Sequence, residues 1–511
     1  MPVRPLQVLR HDSAKYLRRR KSNLHIVFVH TPMSTFKVDQ RREFWQNFDV
    51  RYHATHPGLQ HMENVLWELP HWMTWLGGVL QHTGFESMEP LDFYSSETQI
   101  TGIDVAKVRA SLARHPGDIY LFSPMTPNLF FALEIADLIK EMYPHAKTIF
   151  GGVVATPQRQ KLAAHPSVDY VVFERAEYAL PALLETIEAG GDVTALGNMC
   201  FRMDDGEIFT SSWEYPSIPV EELPFPKVDL FPSSAGKDIR YIRQVYALGC
   251  PYKCSFCTIQ TIGQKPSYFP VERVISEIRA YRKHYGEHHN IYFGDETFTT
   301  HAERTLKICQ ALEDEGNVMY DCQTRLNLLQ DDRVLRALHR SGCRWLEIGL
   351  ETADQESQDL FKQRVKIGST RDALARVRDF GIPVCSFMVN GFPNQTIDDM
   401  RRSLDWVCGL ISDGLLQASY LFGLVPYPGS ELYEEPEKSG LRLRHHDFRY
   451  YHEDMLPVFD TEHATAEQTY QVFLDGVAQL GQAMSCRPYF GADTIQGSRA
   501  AFGAFWESSH V

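Results

Sequence analysis

The chain has 511 residues, more than one ordinary hydrophobic core uses, so two or three domains are expected. Hydrophobic content of 43% and aromatic content of 12% suit a globular fold, and no apolar run reaches the roughly eighteen residues of a membrane helix. A net charge of −14 argues against nucleic acid as a main partner, because such proteins usually show a basic face. The basic run from Arg10 to Lys21 is local, and no long apolar segment follows it, so no signal peptide is read and the cytoplasm is the expected compartment. The ten cysteines begin only at Cys200, a pattern of free thiols in a reducing compartment rather than a disulfide framework.

In chain order, residues 1–24 read as a polar arm. An apolar strand follows at 25–29, then a long aromatic-rich connection over 30–66 that holds His53, His56 and His61. Apolar spacing predicts a helix over 69–82, a weak strand over 87–94 and a helix over 104–115. A strand at 118–123, a helix at 128–143, a strand at 147–152 ending in paired glycines, a strand at 168–173 and a helix at 178–189 complete the pattern. Strands alternating with helices predict an open, doubly wound, mostly parallel sheet, Rossmann-like or flavodoxin-like, over residues 25–199. Ligands of such sheets bind beyond the carboxyl ends of the strands.

Residues 200–240 read as a linker, a short hairpin turning at Asp205-Gly206 and then a proline-dense stretch. Strand–helix alternation resumes from 241 to 431, with strands near 243–248, 290–293, 319–324, 344–349, 383–389 and 417–425. Six such units fit a partial (β/α)6 TIM-type barrel, whose active residues gather at the carboxyl ends of its strands. Residues 432–511 form a mainly helical C-terminal segment that, by position, could shape a substrate pocket.

Within this second region lies Cys250-Pro251-Tyr252-Lys253-Cys254-Ser255-Phe256-Cys257. Three thiolates in one tight loop suit an iron–sulfur cluster, and three ligands instead of four leave one iron open. A zinc knot is the alternative, although it needs a fourth ligand and no second cysteine pair of that kind follows. Cys309, Cys408, Cys322 and Cys385 fall in helical or strand patterns, where cysteine is most often a small buried hydrophobe.

This cysteine spacing, with Phe256 before the last thiol, resembles the signature of the radical S-adenosylmethionine (radical SAM) enzymes. The resemblance implies a [4Fe–4S] cluster on Cys250, Cys254 and Cys257, and S-adenosylmethionine chelated to the open iron. It also implies S-adenosylmethionine contacts from Phe256, from Gly294-Asp295-Glu296 in place of the family's Gly-Gly-Glu, and from Arg325 toward the methionyl carboxylate. Glu351 would face the ribose, and Asn390-Gly391 the adenine and ribose. Each of these alone is an ordinary surface, capping or turn residue; their succession at strand ends carries the resemblance.

The N-terminal half resembles the cobalamin-binding domain that precedes the barrel in one class of these enzymes, through residues 70–84, the 123–128 turn, Gly151-Gly152 and residues 168–177. Ser123, Thr126, Asn128, Gly151, Gly152, Val153, Phe173 and Glu174 are the implied cobalamin contacts. The Asp-x-His-x-x-Gly motif that supplies a cobalt ligand elsewhere is absent, and Phe173-Glu174-Arg175-Ala176-Glu177 stands where Gly-Glu-Gly-Glu is common. A flavodoxin-like domain without cofactor is the alternative reading.

The resemblance implies a cobalamin-dependent radical SAM methyltransferase that moves a methyl group to an unactivated carbon of a small-molecule or natural-product substrate. It also implies an electron donor such as flavodoxin or ferredoxin. The same motifs serve relatives that cyclise, contract rings or oxidise, and a non-catalytic cobalamin or iron–sulfur sensor is the remaining alternative.

Overall fold

The computed structural model describes residues 21–32, 41–56, 68–93, 103–237, 239, 241–261, 265–287, 289–362 and 365–486. The arm over 1–20 with its basic run, His61, and residues 487–511 of the C-terminal segment lie outside the described residues. The chain divides into two compact units, residues 1–34 with 70–235, and residues 35–69 with 236–511.

The first unit is built on a seven-stranded sheet. Its strands are β1 (Ile26–His30), β2 (Met88–Asp92), β3 (Ile119–Phe122), β4 (Lys147–Phe150), β5 (Tyr170–Val172), β6 (Met199–Arg202) and β7 (Ile208–Thr210). Their spatial order is β2-β1-β3-β4-β5-β6-β7. The first five run parallel, and β6 and β7 are antiparallel. Strand β3, Ile-Tyr-Leu-Phe, is buried along its whole length, as a strand covered on both faces must be. The helix Val105–Arg114 starts where Asp104 accepts from the Ala106 and Lys107 amides, and the helix Ala176–Ala189 stops at Gly190 in the left-handed conformation.

The hairpin expected in the linker is the edge of this sheet, because Cys200 pairs with Val171 and is fully buried. The proline-rich stretch after it belongs to the same unit. Lys227 donates its amide to the Thr74 carbonyl at 2.7 Å, and a Cβ on Gly78 would collide with the Phe225 carbonyl. Residues 200–235 therefore sit with the N-terminal sheet rather than forming a separate connector.

The second unit holds strands β8 (Tyr241–Gln244), β9 (Ala247–Leu248), β10 (Ser267–Tyr268), β11 (Asn290–Phe293), β12 (Tyr320–Thr324), β13 (Cys343–Glu351), β14 (Val384–Asn390), β15 (Ala418–Gly423), β16 (Arg442–Leu443) and β17 (Phe459–Asp460). Six of them make a parallel sheet in the consecutive order β15-β14-β13-β12-β11-β8. The single strand expected over 243–248 is two: β8 ends at Gln244, and β9 turns away to pair antiparallel with β10.

The connection expected over 30–66 contains a helix, Arg41–Thr55, that joins the second unit. Phe44, Phe48 and Tyr52 recur every four residues, but Arg41, Asn47, Asp49 and Arg51 are buried with them, which masks the amphipathic pattern. Those polar groups are used. Asn47 donates to the Gly481 carbonyl at 2.8 Å, and Arg51 reaches the Met484 and Gln417 carbonyls at 2.7 and 2.6 Å. The partner is the C-terminal helix Ala466–Ser485, which also packs on the helix Ile397–Ser412 and along β15. Among the described residues no helix is long and apolar enough to cross a membrane.

Candidate functional site

The cysteine loop leaves β9 at Gly249, whose φ of +89° turns the chain in a way a side chain would resist. Cys250, Tyr252 and Ile259 form a small buried cluster, with Cys254, Cys257 and Leu328 packed against it. The loop is fastened from several sides. Ser255 donates its amide to the Phe361 carbonyl at 3.0 Å and accepts the Leu432 amide at 3.2 Å, and Phe256 meets the Phe392 ring edge-on at 5.7 Å between centroids.

The three thiols crowd one apolar patch. Burial pushes the Cys250 thiol up and lifts Cys257 to about 12, and neighbouring Glu296 and the other thiols add to both. Three thiolates can persist there only against positive charge, so the donor set suits a cationic metal–sulfide group. Among the described residues no three His, Cys, Asp or Glu side chains converge on one metal ion. A structural zinc site takes four ligands, whereas this loop supplies three thiols.

Arg325 follows β12 and lies on this loop. Its guanidinium sits 4.0 Å from the Tyr252 ring centroid, 3.5 Å from the Cys254 sulfur and 3.3 Å from the Lys362 carbonyl, to which it donates. Glu351, at the end of β13, has a φ of +60° and is ion-paired with buried Lys362. A non-glycine residue held in that conformation at a strand end is the kind of strain that collects at ligand sites. The ladder between β13 and β14 shifts register there, and a Cβ on Gly349 would overlap the Glu351 and Lys362 side chains. Lys362 was not anticipated from the sequence. It lies in the irregular turn after Gln355–Ser357, eleven residues past its partner, with no motif to single it out.

The Gly294-Asp295-Glu296 triplet splits by role. Gly294 is packed against Arg243, which approaches where a side chain would stand. Asp295 was expected to meet S-adenosylmethionine, but its side chain is fully buried inside the protein. One oxygen accepts from the Tyr246 and Ala247 amides at 2.6 and 2.9 Å, and the other pairs with Arg304 at 3.3 Å. Arg304 in turn donates to the Tyr246 carbonyl at 2.7 Å and lies over the Tyr268 ring. Asp295 and Arg304 thus brace β9 and β10, the two strands from which the cysteine loop hangs. Glu296 alone faces outward. Desolvation by surrounding protein raises its carboxyl, against the pull of Arg243.

Asn390 is buried and donates to the Thr469 carbonyl at 3.0 Å. Gly391 has a φ of +99°, and a Cβ there would crowd Thr469. Both position the turn whose Phe392 supports Phe256.

In the first unit, the carboxyl ends of β1, β3, β4 and β5 bring together small and polar residues. His30 shares a hydrogen bond of 2.9 Å with Asp92 at the ends of β1 and β2. Ser123, Gly151, Gly152 and Val153 are half-buried, and Glu174, with a φ of +58°, is exposed. Gly152 has a φ of +87°, and a Cβ there would overlap the Ser123 hydroxyl. Such a rim lets a large flat ligand lie against the backbone, so these residues fit cobalamin. Thr126, Asn128 and Phe173 are buried. Asn128 accepts the Met125 amide at 2.8 Å and shapes the turn, while Phe173 lies under the Arg159 guanidinium, 4.9 Å from its ring centroid.

The remaining cysteines in described positions are buried, apart from exposed Cys486. The fold brings Cys309, Cys322 and Cys343 close enough to perturb one another, a neighbourhood not visible along the chain.

A model of the B12 binding domain matches residues 68–184, and a model of the radical SAM superfamily matches residues 245–407. An uncharacterized methyltransferase of Pyrococcus horikoshii is 24% identical over 375 residues, 72% of this chain and 79% of its own. An anaerobic magnesium-protoporphyrin IX monomethyl ester cyclase of Rubrivivax gelatinosus is 23% identical over 384 residues, 72% of this chain and 66% of its own. Among solved structures, the cobalamin-dependent S-adenosylmethionine radical enzyme OxsB aligns with a TM-score of 0.64 and 16% identity over 88% of this chain and 66% of that one. The radical S-adenosylmethionine methyltransferase TsrM of Kitasatospora setae aligns with a TM-score of 0.62 and 14% identity over 88% of this chain and 85% of that one. The fold is the α/β arrangement of parallel sheets and many helices found in these two proteins.

Proposed function

Because the chain belongs to the radical SAM superfamily and carries a B12 binding domain ahead of that core, we propose that this enzyme methylates an unactivated carbon of a small-molecule or natural-product substrate. When bound, the [4Fe–4S] cluster and S-adenosylmethionine supply a 5′-deoxyadenosyl radical, and cobalamin supplies a transferable methyl group. The single observation behind the reading is the braced loop of Cys250, Cys254 and Cys257 with Arg325 lying against it.

The chain's own residues bind and orient. Cys250, Cys254 and Cys257 hold the cluster. Glu296 offers an exposed carboxylate to an ammonium group, Arg325 offers fixed positive charge to a carboxylate, and Glu351 accepts from hydroxyls while Lys362 neutralises it. Phe256 and the Asn390-Gly391 turn shape the wall for an adenosyl group. Ser123, Gly151, Gly152, Val153 and Glu174 line the cobalamin rim, with Thr126, Asn128 and Phe173 behind it. The six consecutive parallel strands are taken as an incomplete barrel, and a reduced flavodoxin or ferredoxin as the electron donor.

Similarity to the cyclase of Rubrivivax gelatinosus supports a second reading, in which the same architecture closes a ring or oxidises without methyl transfer. Product mass separates the two. The anaerobically reconstituted enzyme should give a product heavier by one methylene unit, with deuterium carried over from methyl-labelled S-adenosylmethionine. A product that retains no label overturns methylation. Iron and cobalt content come first: cluster iron lost in Cys254→Ala, and cobalt retained by the unaltered chain, are the expected results.

A further inference from the structure

Residues in register across a parallel sheet share a face. On one face of the six-stranded sheet in the second unit, Ile242, Ile291, Phe293, Cys322, Leu346, Ile348, Met388 and Leu421 are buried, at 2% exposure or less. This is the apolar face expected beneath helices. The opposite face is different in kind. Gln323 and Glu347 stand in register, one row from Tyr292 and Arg243. Further along, Phe387 is in register with Tyr420, and Phe422 follows two residues on. Arg243, Gln323, Phe387, Tyr420 and Phe422 are only half-buried although they sit within the sheet, so this face is not fully covered. The three rings touch at 5.7 to 5.8 Å between centroids; Tyr420 is covered by Phe44, Trp45 and Phe48 of the helix Arg41–Thr55, and Phe387 and Phe422 carry the wall on from it.

Beside that wall, on the same face, stands a carboxyl: Glu347 is in register with Cys385, two residues before Phe387. Glu347 is 7% exposed. Tyr292 donates to its Oε2 at 2.5 Å, and Gln323 in turn donates to the Tyr292 hydroxyl. Oε1 has no hydrogen-bond donor among the described residues. Oε1 is not among the fully buried atoms that lack a partner, so it keeps accessible surface on which a donor could approach. Arg243, the nearest cation on this face, is taken up by Glu68 at 3.1 Å. Asp321, which is paired with His56, and Glu68, which is paired with Arg243, add negative charge near Glu347, and three carboxyl groups favour a positively charged or N–H-bearing visitor over an anion.

We propose that Glu347 anchors the substrate, and that the substrate joins an ammonium or comparable N–H donor to a flat apolar body that rests on Phe387 and Phe422. Glu347 is then a specificity-determining residue: it receives the donor on Oε1 while Tyr292 and Gln323 fix its other oxygen. This rests on taking that face as the reaction chamber of the radical enzyme.

Burial lifts the Glu347 carboxyl to about 7, with Asp321 and Glu68 adding to the rise and Tyr292 and Arg243 opposing it. The preference for an ammonium group should therefore strengthen between pH 6 and pH 8, as the carboxylate forms and the amine stays protonated.

The test uses the full-length, cluster-reconstituted protein and three matched probes, 2-phenylethylamine, 2-phenylethanol and 3-phenylpropionate, with retention read by ligand-observed NMR. The expected result is retention of the amine over the alcohol by about tenfold at pH 8, as a charge-assisted bond implies, and exclusion of the carboxylate. The preference should shrink at pH 6 and vanish in Glu347→Gln. Should that variant fail to fold, the pH dependence in the unaltered protein and a weakened preference in Tyr292→Phe decide the matter. Equal retention of amine and alcohol, or a preference unchanged in Glu347→Gln, overturns the proposal. So does loss of S-adenosylmethionine binding in Glu347→Gln with probe preference intact, which would place Glu347 at the cofactor. Reductive S-adenosylmethionine cleavage is measured in the same samples. Its absence from the unaltered protein would sink the radical reading without touching the probe result.

Discussion

The guanidinium of Arg325 lies face-on over the ring of Tyr252, 4.0 Å from its centroid, while the same group reaches the sulfur of Cys254 at 3.5 Å. One cation thus touches both the aromatic ring within the cysteine loop and one of the loop's thiols. A planar guanidinium can stack and donate at once, whereas an ammonium group is a hydrated point charge. Arg325→Lys should keep its iron but lose affinity for S-adenosylmethionine by about tenfold or more, the worth of one charge-assisted pair. Iron analysis and calorimetric titration of the same sample check this. Unchanged affinity would remove Arg325 from the cofactor site.

Asp295 and Arg304 form a buried pair that braces β9 and β10. Asp295→Asn keeps the shape and one acceptor but strands the charge of Arg304. Removing one partner of a buried ion pair costs about 3–5 kcal/mol. The expected result is a lower urea midpoint and poorer cluster incorporation. Arg304→Met in the Asp295→Asn background should recover part of the loss, since neither charge then stays buried alone.

Gly152 takes a left-handed conformation, and its missing Cβ leaves room for the Ser123 hydroxyl. An alanine there pays about 1–2 kcal/mol in backbone strain and displaces Ser123 as well. Gly152→Ala should fold, with a slightly lower melting temperature, and retain less cobalt after incubation with hydroxocobalamin. Full cobalt retention would place the corrin elsewhere.

The raised Glu347 carboxyl carries a stability signature of its own. The folded state keeps its proton up to about pH 7, while the unfolded chain releases it near 4.5, the ordinary glutamate value. Between these values the folded protein binds more protons, so this group's contribution to stability falls as pH rises, by on the order of 3 kcal/mol in all. Glu347→Gln should flatten that part of the profile, gaining on the unaltered protein between pH 5 and pH 8. Denaturant midpoints across that range measure it, and parallel profiles would show that Glu347 titrates normally.

Much of the architecture was legible in the chain. The strand Asn290–Phe293 and the helix Leu129–Met142 stand within a residue of expectation, because apolar periodicity reports burial directly. The helix Arg41–Thr55 was hidden because buried Arg41, Asn47 and Arg51 look like surface residues until their carbonyl partners on a segment more than 360 positions away are known. The bracing role of the Asp295 side chain was hidden for the converse reason: its motif marks a strand end but does not say which way the carboxylate turns.

By itself, the sequence determined the chemistry. Three thiols within eight residues can meet on one small body whatever surrounds them, and glycines at strand ends need no tertiary context to permit close approach. The tertiary structure alone decided which charges are neutralised and which are left partly unpaired. Lys362 answers Glu351, Arg304 answers Asp295, and Glu347 keeps one oxygen without a donor, because strand register sets these partners and no local spacing encodes register between distant strands.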